Sequence, residues 1–266
     1  MKIATLNINS INPRLANLCT WLNANQPDVM FLQEIKCEFN NFPFFELQTL
    51  GYDIKILGQK SYNGVAVLCK KPHKIKVTAE NLPAFTDENS RYLECEVKIN
   101  NRCYTVASIY LPNGNPPQNN PQDTTKFSYK LQWMDSFLQH AETLLNSNRN
   151  IILGGDFNVI MNKLDVYNEE LFINDALYKP EVRKRLLYLS RLGYCDTYRT
   201  LYPKQSGYTF WDYNAGSLQN DLGLRIDYIF TSPSLTDKLL DCRVDKDFRR
   251  LEKPSDHTIL IAEFED

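Results

Sequence analysis

Long apolar runs are missing from this chain of 266 residues: no stretch approaches the roughly 18 consecutive apolar residues of a membrane span. The opening MKIATLNINS alternates like a strand and lacks the apolar core of a signal peptide. Paired cysteine spacing is missing too. The seven cysteines are odd in number and show no C-x-x-C, so Cys37, Cys69, Cys195 and the rest read as small buried apolar residues in a reducing compartment. Charge of one sign is not in excess, with 30 Lys and Arg against 32 Asp and Glu and a net charge of -2. No global basic field therefore announces a nucleic-acid partner, and local patches would have to carry that role. Lys70-Lys71, Arg183-Lys184-Arg185 and Arg249-Arg250 are available, and each reads equally as a solvated face. A Gly/Ser linker, a low-complexity tract and a short repeat are all absent. These absences lead to an expectation of one soluble, monomeric, cytoplasmic domain, nucleoid-associated if the cell is bacterial. With 43% hydrophobic residues it has ample material for a core.

Apolar runs with strand character recur throughout: KIATLNI, DVMFLQE, YDIKIL, GVAVLC, YLECEVKI, CYTVASIYL, NIILGG, YTFWDY, LRIDYIF and HTILIAEF. The Asn100-Asn101 pair predicts a hairpin between strands at 92–99 and 103–110. Helical periodicity is as clear over 128–146, where Leu131, Met134, Leu138, Ala141 and Leu145 share one face. Segments 13–25 and 180–192 also read as helices, each with a proline near its first turn. The Pro- and Asn-rich stretch at 113–123 is a loop between complete elements. The intermixing of strands and helices fits two packed sheets with helices outside.

Polar residues gather where strands end. Asn7 ends IATLN, Glu34 follows VMFLQ, Tyr110 ends VASIY, Asp156 and Asn158 follow IILGG, and Asp256-His257 precedes TILIAEF. Strand ends on one edge of a sheet form a rigid platform on which side chains can converge. The period of two puts Asp156 and Asn158 on one side, where they could serve a water and a phosphoryl oxygen. A Gly-Asp turn closing a strand explains the same fragment. Glu34 is either solvated or a hard oxygen donor suited to magnesium. Asp227 lies among Leu224, Ile226, Ile229 and Phe230, where a carboxylate is costly without a partner. Arg225 on the same strand face is one candidate partner. His257 is the other, since a buried carboxylate would orient the imidazole and favour its charged form. The remaining histidines, His73 in a basic turn and His140 on a helix, have no such company and read as structural or exposed.

Seven blocks in order, TLNINS, FLQEIK, IYLPNG, GGDFNV, YTFWDY, LRIDYIF and EKPSDH, cover nearly the whole chain. Together they resemble the exonuclease III family of abasic-site endonucleases, within the endonuclease/exonuclease/phosphatase superfamily. The resemblance implies an α/β (α+β) fold of the deoxyribonuclease I-like kind. This is a four-layer α/β sandwich of two packed mixed β-sheets flanked by helices. It implies a magnesium-dependent hydrolase, with manganese as an alternative ion, acting on duplex DNA at abasic sites or damaged 3′ ends. Glu34, Asn7 and Asp256 would form the metal neighbourhood. Asp156 would handle a proton, Asn158, Tyr110 and His257 would contact the phosphate, and Asp227 would hold His257. Phe210, Leu224 and Ile226 match positions of an apolar pocket for a base-free sugar, with Trp211 and Arg225 beside them as substrate contacts. A base-free sugar rotates out of a duplex cheaply, whereas a normal nucleotide must be unstacked, so specificity would come from exclusion and from DNA bending. Asn9 stands where some relatives carry an aspartate and is not assigned as a direct ligand. The 113–123 and 214–223 loops are expected to touch DNA. Two other readings stand beside this one. A phosphodiesterase or phosphatase of the same superfamily would need another specificity loop in place of YTFWDY…LRIDY. A non-catalytic nucleic-acid-binding module would have lost at least one of Glu34, Asp156, Asn158, Asp227 or His257.

Overall fold

Alternation of side chains along the strands builds the molecule in layers. In β1 (Lys2–Asn7), β2 (Val29–Gln33) and β4 (Val65–Lys70), the residues Ile3, Val29, Phe31, Val65 and Val67 turn inward. Their neighbours Ala4, Met30, Leu32 and Ala66 turn outward. The inward set meets Leu93, Cys95, Val97, Val106, Ile152 and Ile229 of a second sheet and forms the central core. The outward set is covered by Leu18 and Leu22 of α1 (Leu15–Asn25) and Leu47 of α2 (Phe44–Thr49). On the far side of the second sheet, Ala107, Ile109, Ile151 and Leu153 pack under α3 (Thr125–Leu145) and α4 (Pro180–Leu192). This computed structural model describes residues 1–147, 150–214 and 216–265. Over these it is the expected four-layer sandwich.

The remaining strands are β3 (Tyr52–Leu57), β5 (Lys74–Glu80), β6 (Tyr92–Ile99), β7 (Arg102–Tyr110), β8 (Asn150–Asp156), β9 (Cys195–Asp196), β10 (Asp227–Thr231), β11 (Leu239–Asp245) and β12 (Ile259–Phe264). One sheet runs β11-β12-β1-β2-β4-β3 and the other β5-β6-β7-β8-β10-β9. Each is mixed, with a parallel pair at its centre: β1 with β2, and β7 with β8. Parallel pairs bring successive strand ends to the same edge. Asn7 therefore aligns with Gln33, beside Glu34, and Tyr110 aligns with Asp156. Antiparallel β10 enters at that edge, with Asp227 opposite Asp156. Gly154 lets the sheets close there, because a Cβ on it would fall 2.4 Å from the Phe31 ring.

Several local expectations shift. Helix 180–192 and the β6–β7 hairpin appear as read, α3 starts three residues earlier than expected, and α1 begins after a single turn at Asn12–Arg14. YTFWDY is not a strand; it crosses the sheet edge, with single bridges from Phe210 to Leu224 and to His257. Edge strands β5 and β11 were missed because their alternation is half-buried and charged. All seven cysteines are unpaired, four of them buried, and Cys103 is exposed.

Candidate active site

The two sheets are joined at the shared edge by polar side chains. Asn7, at the end of β1, donates from Nδ2 to Glu34 Oε1 at 2.8 Å and to Asp156 Oδ2 at 2.9 Å. Its Oδ1 accepts from the Asn9 N–H. Asp156 also accepts from the Asn158 N–H at 2.9 Å and from Asn158 Nδ2 at 3.2 Å, and that Nδ2 is shared with the Leu111 carbonyl. Tyr110 aligns with Asp156; burial and then the nearby Glu34 and Asp156 charges push its hydroxyl pKa well up, and the Arg91 guanidinium lies 4.8 Å from its ring centre. The turns that aim these groups are strained: Asn9, Ser10, Glu34, Lys36, Asn158 and Lys253 all have positive φ without being glycine. Such conformations persist only where surrounding contacts impose them, and they concentrate at functional sites.

His257 arrives from the turn before β12. Ser255, in the turn before β12, donates to the Asn7 carbonyl at 2.7 Å and accepts the His257 N–H. The turn is thereby pinned to the end of β1. The imidazole meets Asp227 Oδ2 through Nδ1 at 2.8 Å and points Nε2 at Asp156 Oδ2, 3.8 Å away. Phe210 packs edge-on against the ring at 5.0 Å. The open question of the partner of Asp227 is thus answered in favour of His257. Arg225 turns to the opposite side, fully buried between Asp165 at 2.7 Å and Asp196 at 2.8 Å, with Arg199 also on Asp165.

Electrostatics separate the roles. Burial alone would lower the His257 pKa, but Asp227 and then Asp156 outweigh it and bring it up to about 10, so the ring is a cation at neutral pH. Burial raises the Asp156 pKa to about 7, with Asp227 adding to the rise and His257 and the Asn7 hydrogen bond resisting it. Glu34 is pushed up by burial, yet Lys36 and Asn7 overcome this and hold it below its ordinary value. One site therefore contains a carboxylate kept ionised, an imidazolium and a carboxyl poised to exchange its proton.

The donor set around Glu34 fits a hard cation. Lys36 Nζ lies 2.7 Å from Glu34 Oε2 and 2.6 Å from Asn9 Oδ1, and Asn9 Nδ2 in turn donates to Asp256 Oδ1 at 3.0 Å. The ammonium marks a position that oxygen donors already favour for positive charge. Among the described residues no group of three or more His, Cys, Asp and Glu could hold a metal by itself. Asn7 stands beside Glu34, as expected, and its amide spaces the Glu34 and Asp156 carboxylates. Asp256 reaches that neighbourhood through Asn9.

Phe210 is half-buried and shares one apolar cluster with Leu224 and Ile226. Two expected substrate contacts fall away. Trp211 is fully buried, its Nε1 on Asp221 and its N–H on the Asp256 carbonyl, so it anchors the 252–257 turn. Arg225 is committed to its two carboxylates and offers no surface. In the 214–223 loop, Ala215 lies outside the described residues; Asn214 and Ser217 form a turn. His73 and His140 are structural, bound to Asp28 and Glu94. Lys36 is a site residue that sequence reasoning missed, while Asn9, not assigned as a direct ligand, lies between Lys36 and Asp256. The one available signal for Lys36 was its place inside the FLQEIK block.

Comparison with known proteins places this site in a class. The model of the endonuclease/exonuclease/phosphatase family matches residues 4–257. Exodeoxyribonuclease III of Haemophilus influenzae is 30% identical over 99% of this chain and 100% of its own length. Among solved structures, an AP endonuclease from Archaeoglobus fulgidus superposes with a TM-score of 0.91 at 31% identity, covering both chains fully. NExo from Neisseria, a 3′ phosphatase bound to a product DNA hairpin, gives 0.89 at 33% identity, again with full coverage of both. The chain belongs to the endonuclease/exonuclease/phosphatase family, in its exonuclease III and AP endonuclease branch.

Proposed function

We propose that this protein is a DNA-repair nuclease that hydrolyses the phosphodiester 5′ to an abasic site in duplex DNA, leaving a 3′-hydroxyl. We propose that it also clears phosphates and damaged nucleotides from 3′ ends. The observation that carries the reading is the line Asp227–His257–Asp156, at 2.8 and 3.8 Å, beside the oxygen donors around Glu34. A cationic imidazole and a carboxyl poised near neutrality, side by side at one sheet edge, suit phosphoryl transfer.

In this mechanism His257 presents Nε2–H to a non-bridging phosphoryl oxygen and stabilises the charge that grows there, while Asp227 keeps the ring charged and oriented. Asn158 Nδ2, held in this structure by the Leu111 carbonyl and Asp156, would turn one proton to the phosphate, and Tyr110 stands on the same side. Asp156 takes a proton from the attacking water or gives one to the departing 3′ oxygen, and a pKa of about 7 serves either transfer. Magnesium, with manganese as a substitute, would sit on Glu34 with Asp256 and the Asn9 amide nearby, and supplies Lewis acidity toward the phosphate. Phe210 flanks His257 and presents an apolar face to a base-free sugar.

One observation favours a larger share for 3′-end processing. Leu224 and Ile226, expected to line the sugar pocket, are only 4% and 2% exposed, which leaves Phe210 as the main apolar surface. The test uses labelled duplexes carrying a single abasic site, an intact strand, or a recessed 3′-phosphate end, each with and without chelator. The reading expects chelator-sensitive incision at the abasic site and phosphate release at the end. Equal cutting of intact and abasic strands, or no cutting of any substrate, would overturn it.

A further inference from the structure

Lys130 lies on the buried face of α3 with Trp133, Met134 and Phe137, and it is fully buried. A lysine ammonium has three protons and no acceptor. All three are used on main-chain carbonyls from separate segments: Asn158 at 2.6 Å, Asn113 at 2.9 Å and Ala176 at 3.1 Å. The fit is tight, since a Cβ on Gly114 would come within 2.6 Å of Lys130 Cδ. Burying a lysine to bind carbonyls alone is costly; burial brings its pKa down to about 7, with Asp175 and then Asp156 opposing the fall.

The location gives that cost a purpose. Asn158 carries a left-handed backbone at φ 47°, and its side chain is shared between the Leu111 carbonyl and Asp156. Asn113 Nδ2 reaches Asn158 Oδ1 at 3.3 Å, and Asn115 ties the same loop to Asp175 and Ala176. We propose that Lys130 is a positioning residue for the hydrolysis. Its ammonium clamps the Asn158 carbonyl and so fixes the turn that aims the Asn158 amide and holds Asp156. Lys130 has no exposed surface and touches no substrate, so it acts only through Asn158. This inference rests on the phosphodiester-hydrolysing site described above.

The test is a double-substitution cycle on the full chain, read by steady-state and single-turnover cleavage of the abasic duplex. Lys130→Met keeps the length and removes the charge. It is expected to lower kcat by about 10- to 100-fold, the scale of an ångström-level misplacement, with KM for the duplex changed less than about 3-fold. Lys130→Gln, which retains a donor, should lose less. In an Asn158→Ala background, Lys130→Met should cost less than about 3-fold more, because the group it aims is gone. Thermal melts confirm folding, and if Lys130→Met does not fold, Lys130→Gln carries the same cycle. A folded variant with unchanged kcat, or losses that multiply fully in the cycle, would overturn the inference. If Asn158→Ala itself keeps full turnover, the site assignment fails; if it loses turnover while the Lys130 variants do not, only the role of Lys130 fails.

Discussion

Asp227→Asn removes one charge from the centre of the site and should be readable without turnover. In the native protein the buried imidazole of His257 is held from an ordinary 6.5 up to about 10, with Asp227 the first of the groups that raise it. At about 1.4 kcal/mol per tenfold, that is on the order of 5 kcal/mol favouring the imidazolium over the neutral ring. A histidine whose folded pKa is raised contributes stability that is fully present below about 6.5. That stability is lost as pH climbs through about 10. Asp156 is a carboxylate with a raised folded pKa, so its contribution is present below 3.8 and falls away as pH rises to about 7. The two windows barely overlap. With Asp227→Asn, burial again dominates at His257, opposed by the more distant Asp156 and then Asp256. The ring should then be neutral at pH 8, and the loss of stability between pH 7 and 10 should flatten. With only three histidines in the chain, an isotope-labelled NMR titration of the metal-free protein resolves the ring directly. Turnover should fall by roughly 100-fold or more as a charged donor becomes a neutral one. A His257 signal still protonated at pH 8 in Asp227→Asn would refute the reasoning.

Other perturbations separate the remaining roles. Asp156→Asn is expected to keep the melting temperature within a few degrees and to lower kcat by at least about 100-fold, measured under single-turnover conditions. Glu34→Gln should move the midpoint of a magnesium titration to higher concentration, with activity partly recovered at saturation; an unchanged midpoint would remove Glu34 from the metal site. Arg225→Met leaves Asp165 and Asp196 without their shared cation and should cost about 3–5 kcal/mol in denaturant unfolding while leaving the metal midpoint alone. Affinity for duplex should fall steeply between about 50 and 200 mM salt, and a flat response would argue against a phosphate-contacting substrate.

The legible part of the site was the part written in strand ends. Asn7, Glu34, Tyr110 and Asp156 each stand where an apolar run stops, parallel pairing brings those stops to one edge, and antiparallel β12 starts there just after His257. Period-two alternation could not decide which face Arg225 takes, because its partners Asp165 and Asp196 lie far off in the chain. The aromatic content of YTFWDY imitates a strand, whereas the segment is an irregular crossing whose tryptophan is fully buried. Lys36 was missed because a left-handed turn, which leaves no periodic trace, delivers it to the site. Lys130 was within reach. The helix was read along Leu131 and Leu145, but its buried face runs through 130, 133, 134, 137, 138 and 141, and the same 3.6-residue period centred on Phe137 includes the lysine.

The central claim is that this edge hydrolyses DNA phosphodiesters with Asp156 exchanging the proton. Product mapping on a duplex with one abasic site tests it most directly, comparing the native chain with Asp156→Asn. The expected result is a single chelator-sensitive cut 5′ to the site that leaves a 3′-hydroxyl and nearly disappears in the variant. A cut on the 3′ side, or cleavage equally strong in Asp156→Asn, would contradict it.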